Sequence, residues 1–319
     1  VRKVLLVRQS SMGDIIHTWP MVSDLVGQVP QIQVDWVVEE GFAELPRMHP
    51  AVKRVIPVAL RRWRKRPFSA QHRAEMWGFF RALRQERYDC ILDTQGLLKS
   101  ALIARLAFGP VYGYDRQSSR EPIASLFYHR KVHVPADMPM IRRYREVAAV
   151  ALNYTVDERR TEAGVVAPDL SWDWLPQQPY CVLLTATARD SKLWAEENWL
   201  SLGRALNARG LCMACPWGSA AEKTRAEALA SQLPLAIVPP KMTLSEVTVL
   251  LDRSRAVFGV DTGLTHLAAA LGKPTLAIWC ASPPELAGLP PREKAFNVGK
   301  NGAPPTVQEV FEHLPALLG

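Results

Sequence analysis

The sequence has no apolar run approaching the roughly 18 consecutive residues that a membrane-spanning helix needs. Its opening stretch, Val1-Arg2-Lys3-Val4-Leu5-Leu6-Val7-Arg8, puts only four apolar side chains in a row, too few for the core of a secretory signal. Both absences point to a cytoplasmic protein, with peripheral contact to a membrane still open. The dinucleotide fingerprint G-x-G-x-x-G is missing, as is the phosphate-loop pattern G-x-x-x-x-G-K-[ST], so a nicotinamide oxidoreductase and a P-loop ATPase lose their usual signatures. No D-x-D pair is present to offer a divalent ion two carboxylates, and the sequence requires no metal. Cysteine is scarce: Cys90, Cys181, Cys212, Cys215 and Cys280 are all there is, mostly inside apolar runs, as in a reducing compartment. Cys212-Met213-Ala214-Cys215 has C-x-x-C spacing, but no second pair or histidine cluster completes a zinc set, and it is read as structural.

What is present is an ordinary globular composition, 48% hydrophobic and 22% charged over 319 residues, long enough for two domains. The formal charge of +8 is unevenly spread, because residues 1–160 carry a net +10 and residues 161–319 a net −2. Arg61 to Arg87 alone holds nine Lys/Arg against Glu75 and Glu86. A solvated helical face accounts for such a run as readily as an anionic partner does.

Apolar strand-length runs alternate with amphipathic helix-length segments, the pattern of a parallel sheet covered on both faces. Strands are expected at 3–8, 33–38, 54–58, 89–93 and 111–114, with helices from near Asp14 and at 70–86, 97–107 and 140–152. Asn153 to Gln178, rich in Pro and charge, reads as a linker. Alternation resumes with strands at 180–185, 211–215, 235–238, 256–260 and 275–279, and helices at 197–208, 220–232, 244–251 and 264–271. The expectation is an α/β chain of two Rossmann-like doubly wound domains, 1–160 and 161–319, facing a central cleft, since such sheets bind ligands beyond the carboxyl ends of their strands. The last segment, 306–319, reads as an amphipathic helix able to pack back on the N-terminal domain.

Polar clusters fall at the predicted strand ends. After the first strand come Ser10-Ser11-Met12-Gly13-Asp14, where Gly13 permits close backbone approach. Asp14 is either the cap of the following helix or a catalytic base at the sheet mouth, and its position alone does not choose. In Asp261-Thr262-Gly263-Leu264-Thr265-His266, a buried strand ends in an acid and a small-residue helix begins, so the amides from Thr262 to Leu264 can face a diphosphate. His266 falls one turn inside that helix, either toward the same anion or as a satisfied core histidine. Thr185-Ala186-Thr187-Ala188-Arg189-Asp190-Ser191-Lys192 gathers hydroxyl, guanidinium and ammonium groups suited to a phosphate, with Lys192 as the point charge. Glu222 follows a third strand end and is by default a first-turn helix acid, though a carboxylate there can accept hydrogen bonds from a ribose. In the first half, Arg61-Arg62-Trp63-Arg64-Lys65-Arg66 interleaves arginine with an aromatic. Nucleic acid is the generic partner of that pattern, but no nucleic-acid fold surrounds it, and an acidic glycolipid needs the same guanidinium chemistry.

These segments, together with Asp35-Trp36-Val37-Val38-Glu39-Glu40-Gly41-Phe42, Arg120-Glu121-Pro122 and Pro216-Trp217-Gly218, resemble the heptosyltransferases of glycosyltransferase family 9 over nearly the whole chain. The Ser-Met-Gly-Asp and Asp-Thr-Gly-Leu-x-His motifs are shared across that family. The Arg-Arg-Trp-Arg-Lys cluster with Trp-Val-Val-Glu-Glu-Gly-Phe points to members that add the first heptose. The resemblance implies a GT-B fold and inverting transfer of L-glycero-D-manno-heptose from ADP-heptose to Kdo2-lipid A, on the cytoplasmic face of the inner membrane, with no cofactor. An already heptosylated core acceptor is the alternative within the family, and a nucleic-acid-binding protein the remoter one. By position it implies Asp14 as general base, with Ser10, Ser11 and Gly13 forming the loop beside it. Thr187, Ala188, Lys192, Asp261, Thr262, Gly263, Leu264 and His266 would lie around the leaving diphosphate, Glu222 on the ribose and Met242 against the adenine. Arg61, Arg62, Arg64, Lys65 and Arg120 would grip the acceptor's acidic groups. Ala188 departs from the Thr-Thr-Arg-Asp pattern of these enzymes, which removes one hydroxyl from the donor loop.

Overall fold

The computed structural model describes residues 2–65, 69–187 and 189–319. They form two compact units, Val1–Val166 and Ala167–Gly319. In the first, six parallel strands are β1 (Arg2–Val7), β2 (Ile32–Glu39), β3 (Val52–Val58), β4 (Cys90–Asp93), β5 (Val111–Tyr114) and β6 (Arg130–Val132), in the spatial order β3-β2-β1-β4-β5-β6. Val4 to Val7 of β1 are wholly buried, as a central parallel strand covered on both faces requires. The helices are α1 (Met12–Gln28), α2 (Glu44–Arg47), α3 (Leu60–Trp63), α4 (Ala70–Leu83), α5 (Leu98–Leu106) and α6 (Met140–Leu152), with a 3-10 turn at Pro122–Phe127. One core layer joins Leu5, Val7, Val37, Ile91 and Val111 of the sheet to Trp63, Phe79, Leu83, Ala101, Ala104 and Ala124, so α3, α4, α5 and the 3-10 turn share one face. Packed against each other, α1 and α6 are tied by a buried bidentate pair, in which Arg145 Nε donates to Asp24 Oδ2 at 2.6 Å and Nη2 to Oδ1 at 2.8 Å.

The second unit repeats the topology. Its strands β7 (Tyr180–Leu184), β8 (Cys212–Ala214), β9 (Ala236–Ile237), β10 (Ala256–Val260), β11 (Thr275–Trp279) and β12 (Ala295–Gly299) lie in the order β12-β11-β10-β7-β8-β9. In both sheets the first and fourth strands are neighbours, and the chain progresses outward from them in opposite directions. That reversal opens a crevice at the carboxyl ends of the central pair. The helices are α7 (Glu196–Asn207), α8 (Ala220–Ala230), α9 (Leu244–Asp252), α10 (Gly263–Ala270), α11 (Pro284–Ala287), α12 (Val307–Phe311) and α13 (Leu314–Leu318).

Two expectations are corrected and one is refined. The strands β6 and β12 went unforeseen: both are edge strands, short and only partly buried, so neither carries a continuous apolar run. The segment after α6 contains the division between the units, and its first part is fastened to the first unit, since Val166 N donates to Met48 O and Gly164 is set against Ser23 and His49. The terminal segment is two short helices and not one, α13 opening on Leu314-Pro315. Val310, Leu314 and Leu317 fill the second unit's own core beside Leu202, Ala256 and Leu276, which uses up the apolar side of both helices.

Candidate functional site

At the crevice of the first sheet, β1 runs into Arg8, Gln9 and Ser10, and β4 into Thr94, Gln95 and Gly96. Gln9 N donates to Gln95 Oε1 at 2.8 Å, and the Arg8 guanidinium donates to Thr94 Oγ1 (3.2 Å) and to the Thr94 carbonyl, closing the two loops onto each other. Asp93 braces this floor from beneath: fully buried, it accepts from Gln95 N and from the hydroxyls of Ser100 and Tyr128, each at 2.8 Å. Burial still pushes its carboxyl up, against those donors and Arg8.

Asp14 stands over the crevice in the first turn of α1. Ser11, not Asp14, is the N-cap, and Asp14 Oδ2 reaches back to accept from Ser11 N at 3.0 Å and Ser11 Oγ at 2.9 Å. Its Oδ1 accepts from the hydroxyl of Tyr144, 130 residues away on α6, at 2.7 Å. Arg8 lies with its guanidinium 4.2 Å from the Tyr144 ring centroid. Burial opposes ionisation of Asp14, but the positive charge of Arg8 and the donors Tyr144 and Ser11 outweigh it and hold the carboxyl below its ordinary value. A carboxylate offers about four lone-pair directions, and the described residues take three, which leaves one for an incoming hydroxyl. Arg8 and Tyr144 were not singled out from sequence. Arg8 carried a signal, as a charge ending a buried apolar run; Tyr144 carried none, because only the packing of α6 on α1 brings it to Asp14.

The basic cluster lies beyond β3, on α3 and the turn after it. Arg61, Arg64 and Lys65 are exposed, whereas Arg62 is engaged by carboxylates on both sides. Its Nε and Nη2 donate to the two oxygens of Glu40 at 3.0 and 2.9 Å, and Nη1 to Glu75 Oε2 at 2.7 Å. Arg62, expected with the others to grip the acceptor, thus has three of its five N–H groups on Glu40 and Glu75 and braces the cluster. Arg66 lies outside the described residues. Arg120, exposed, follows β5, with its amide nitrogen 3.2 Å from where a Cβ on Gly96 would stand. The left-handed backbone of Gly96 (φ +67°) and this close approach both favour glycine there.

At the crevice of the second sheet, β10 ends in Asp261 beside the loop that follows β7. Thr187 Oγ1 donates to the Asp261 carbonyl at 2.9 Å, Lys192 Nζ pairs with Asp261 Oδ2, and His266 Nε2 lies 3.7 Å from Oδ1. Burial works against the Asp261 charge, but His266, Lys192 and Ser282 overcome it and hold the carboxyl well below the usual range. Thr262 is the N-cap of α10, so the amides of Gly263 and Leu264 belong to the first turn, which has no intrahelical acceptors. The ammonium of Lys192 keeps two of its three donors beyond the Asp261 pair. Ala188, in this loop, lies outside the described residues. Glu222 forms a capping box at α8, its Oε2 accepting from Gly218 N at 2.7 Å and Ser219 N at 3.2 Å. Met242 is half-buried just before Thr243, the N-cap of α9. Trp217 Nε1 donates to the Pro239 carbonyl at 2.8 Å, which draws the loops after β8 and β9 together.

Residues 76–313 match the family model described as glycosyltransferase family 9 (heptosyltransferase). Lipopolysaccharide heptosyltransferase 1 of Escherichia coli K12 is 42% identical over 99% of this chain and 100% of its own length. The Pseudomonas aeruginosa protein of the same name is 45% identical over 90% of this chain and 81% of its own. Among solved structures, E. coli heptosyltransferase WaaC with ADP superposes with a TM-score of 0.91 at 39% identity, covering 99% of both chains. The same enzyme with ADP-2-deoxy-2-fluoro heptose gives 0.85 at 40%, covering 98% of this chain and 99% of that one.

Proposed function

Because this chain belongs to glycosyltransferase family 9, the heptosyltransferases, we propose that it transfers L-glycero-D-manno-heptose, with inversion, from ADP-heptose to a Kdo residue of Kdo2-lipid A in lipopolysaccharide inner-core assembly. Its two Rossmann-like units are the GT-B architecture of the WaaC structures. ADP-heptose enters as a substrate, and no cofactor is invoked. Likeness to heptosyltransferases named for the first transfer favours an acceptor without heptose. An acceptor anchored in lipid sets the work at the cytoplasmic face of the inner membrane.

The observation that carries the chemistry is the Asp14 carboxylate, held ionised by Arg8 and Tyr144 with one lone-pair direction free. The acceptor hydroxyl oxygen bonds to the anomeric carbon, the bond from that carbon to the phosphate oxygen breaks with its electron pair leaving on ADP, and the proton passes to Asp14. A weakly basic carboxylate suits this step, because the hydroxyl becomes acidic only as its oxygen commits to the anomeric carbon. In the second unit, the free donors of Lys192 and the amides at Thr262 to Leu264 receive the charge developing on the diphosphate, joined by the Thr187 hydroxyl once it turns from the Asp261 carbonyl. Asp261 and His266 set the position of Lys192. Glu222 takes the ribose hydroxyls with the oxygen its cap leaves over, and Met242 lies against the adenine. Arg61, Arg62, Arg64, Lys65 and Arg120 hold the acceptor's carboxylates and phosphates, Arg62 with the N–H groups that Glu40 and Glu75 leave.

Incubation with ADP-heptose and Kdo2-lipid A, scored by ADP release, tests this. The native protein is expected to turn over, and Asp14→Ala to lose at least about a hundredfold in kcat. No release by the native protein on this acceptor, with turnover on a heptosylated one, would transfer it to the later step of the pathway. Undiminished release by Asp14→Ala would remove the base assignment alone.

A further inference from the structure

Among the described residues of the first unit, none covers the face built by α4, α5 and the Pro122–Phe127 turn, and its composition is unlike that of a solvated surface. Eleven large apolar side chains are exposed among the described residues, and six of them lie here: Trp77, Leu102, Leu106, Phe108, Ile123 and Leu126. Trp77 and Leu126 stand 72% and 73% exposed, so they project into the surroundings and do not merely edge the core. Because α4, α5 and the turn rest on one core layer, the six side chains belong to one surface.

Cations are interleaved with them. Along α4 the outward stripe reads Arg73, Trp77, Arg81, Arg84 at intervals of four, four and three, which stacks them on a single helical face. Lys99 and Arg105 do the same beside Leu102 and Leu106 on α5. Arg84 joins the two helices, with its guanidinium 4.7 Å from the Phe108 ring centroid and Nε donating to the Leu106 carbonyl at 3.0 Å. The nearby acids are turned away from this face or occupied: Glu75 holds Arg62 and Trp63, Glu86 pairs with Lys3, and Glu121 accepts from Leu98 N.

We infer that this face is a membrane-docking surface, on which Trp77, Ile123 and Leu126 enter the headgroup boundary of an anionic bilayer while the arginines and Lys99 meet its phosphates. Apolar side chains projecting among long cationic ones suit an interface that is greasy below and negative above. A second copy of the chain fits less well, because a twofold contact through this face would set its arginines against one another. The surface adjoins the proposed acceptor cations through α3, which packs into the same core layer. It thus deepens the acceptor assignment above, on which its purpose rests: the bilayer carrying the acceptor would be held beside the groups that bind it.

The test is co-sedimentation of the full chain with phosphatidylcholine vesicles and with vesicles in which part of that lipid is replaced by phosphatidylglycerol, no acceptor being present. Binding is expected to the anionic vesicles, much less to the neutral ones, and to weaken as salt rises. Arg73→Ser and Arg81→Ser are each expected to weaken it about fivefold. Trp77→Ser and Leu126→Ser are each expected to weaken it about tenfold or more. All four sites are exposed, and turnover of a deacylated, water-soluble Kdo acceptor should be unchanged in each variant. Failure of the native chain to bind anionic vesicles, or equal binding by the variants, would overturn the surface while leaving soluble turnover to judge the enzyme separately. A dimer abolished by Trp77→Ser with vesicle binding intact would overturn it in favour of self-association.

Discussion

Asp14 owes its character to residues from three parts of the chain. Ser11 fixes its carboxylate from within the same helix turn, Arg8 supplies the charge from the end of β1, and Tyr144 sets Oδ1 from α6. Losing the Tyr144 hydroxyl removes one charge-assisted hydrogen bond, a contribution of about 1.5–3 kcal/mol. Tyr144→Phe is therefore expected to lower kcat at neutral pH by about tenfold or more, through a carboxylate no longer held in line, with little change in KM for ADP-heptose. The sign of the pH effect follows from the same bond. As the proposed base Asp14 works ionised, so activity is expected to fall as pH drops through its pKa, and losing a donor that favours the anion should move this acid limb of kcat/KM upward by about one pH unit. A purely structural role for Tyr144 would leave the limb in place. The motif residues around Asp14 and Asp261 were legible because small, polar and charged types follow apolar strands at fixed intervals. The pairing of Arg62 was not, since nothing in its own segment announces that Glu40 and Glu75 would engage it.

At the scale of elements, the position of α6 decides the site, and the α1–α6 brace holds that position. The Arg145 side chain is 2% exposed and Asp24 9%, bidentate, with Nη2 also donating to the Asp157 carbonyl at 2.8 Å. Removing one partner strands a buried charge, so Asp24→Ala should cost about 3–5 kcal/mol, measured by denaturant unfolding. Glu158→Gln, at an ion pair whose glutamate is 80% exposed, should change stability by no more than about 1 kcal/mol. The central strands were readable because burial on both faces demands a continuous apolar run, as in Val4-Leu5-Leu6-Val7. The edge strands escaped for the converse reason: Arg130 and Lys131 of β6 are exposed, and backbone pairing to β5 makes them a strand.

Across the whole molecule, charge is divided by unit, and the two ligands should respond differently to salt. The proposed acceptor cations Arg61, Arg64, Lys65 and Arg120 are exposed, while Lys192 is 21% exposed and paired to Asp261. Exposed charges are screened beyond about 8–10 Å at physiological salt and partly buried ones much less. Raising ionic strength should therefore raise KM for the lipid acceptor more than KM for ADP-heptose, as steady-state titrations of each substrate would read. The sequence by itself determined two doubly wound sheets, the polar turns at their strand ends and the positive first half, because each is a local consequence of hydrophobic period, turn chemistry and composition. Only the tertiary structure decided that Tyr144 and Arg8 flank Asp14, that Lys192 is shared with Asp261, that Arg62 is occupied, and that α4, α5 and the following turn present one uncovered face. Apart from Arg8, six residues before Asp14, these are contacts between residues well separated in the chain, and no local pattern encodes which distant partner the packing will deliver.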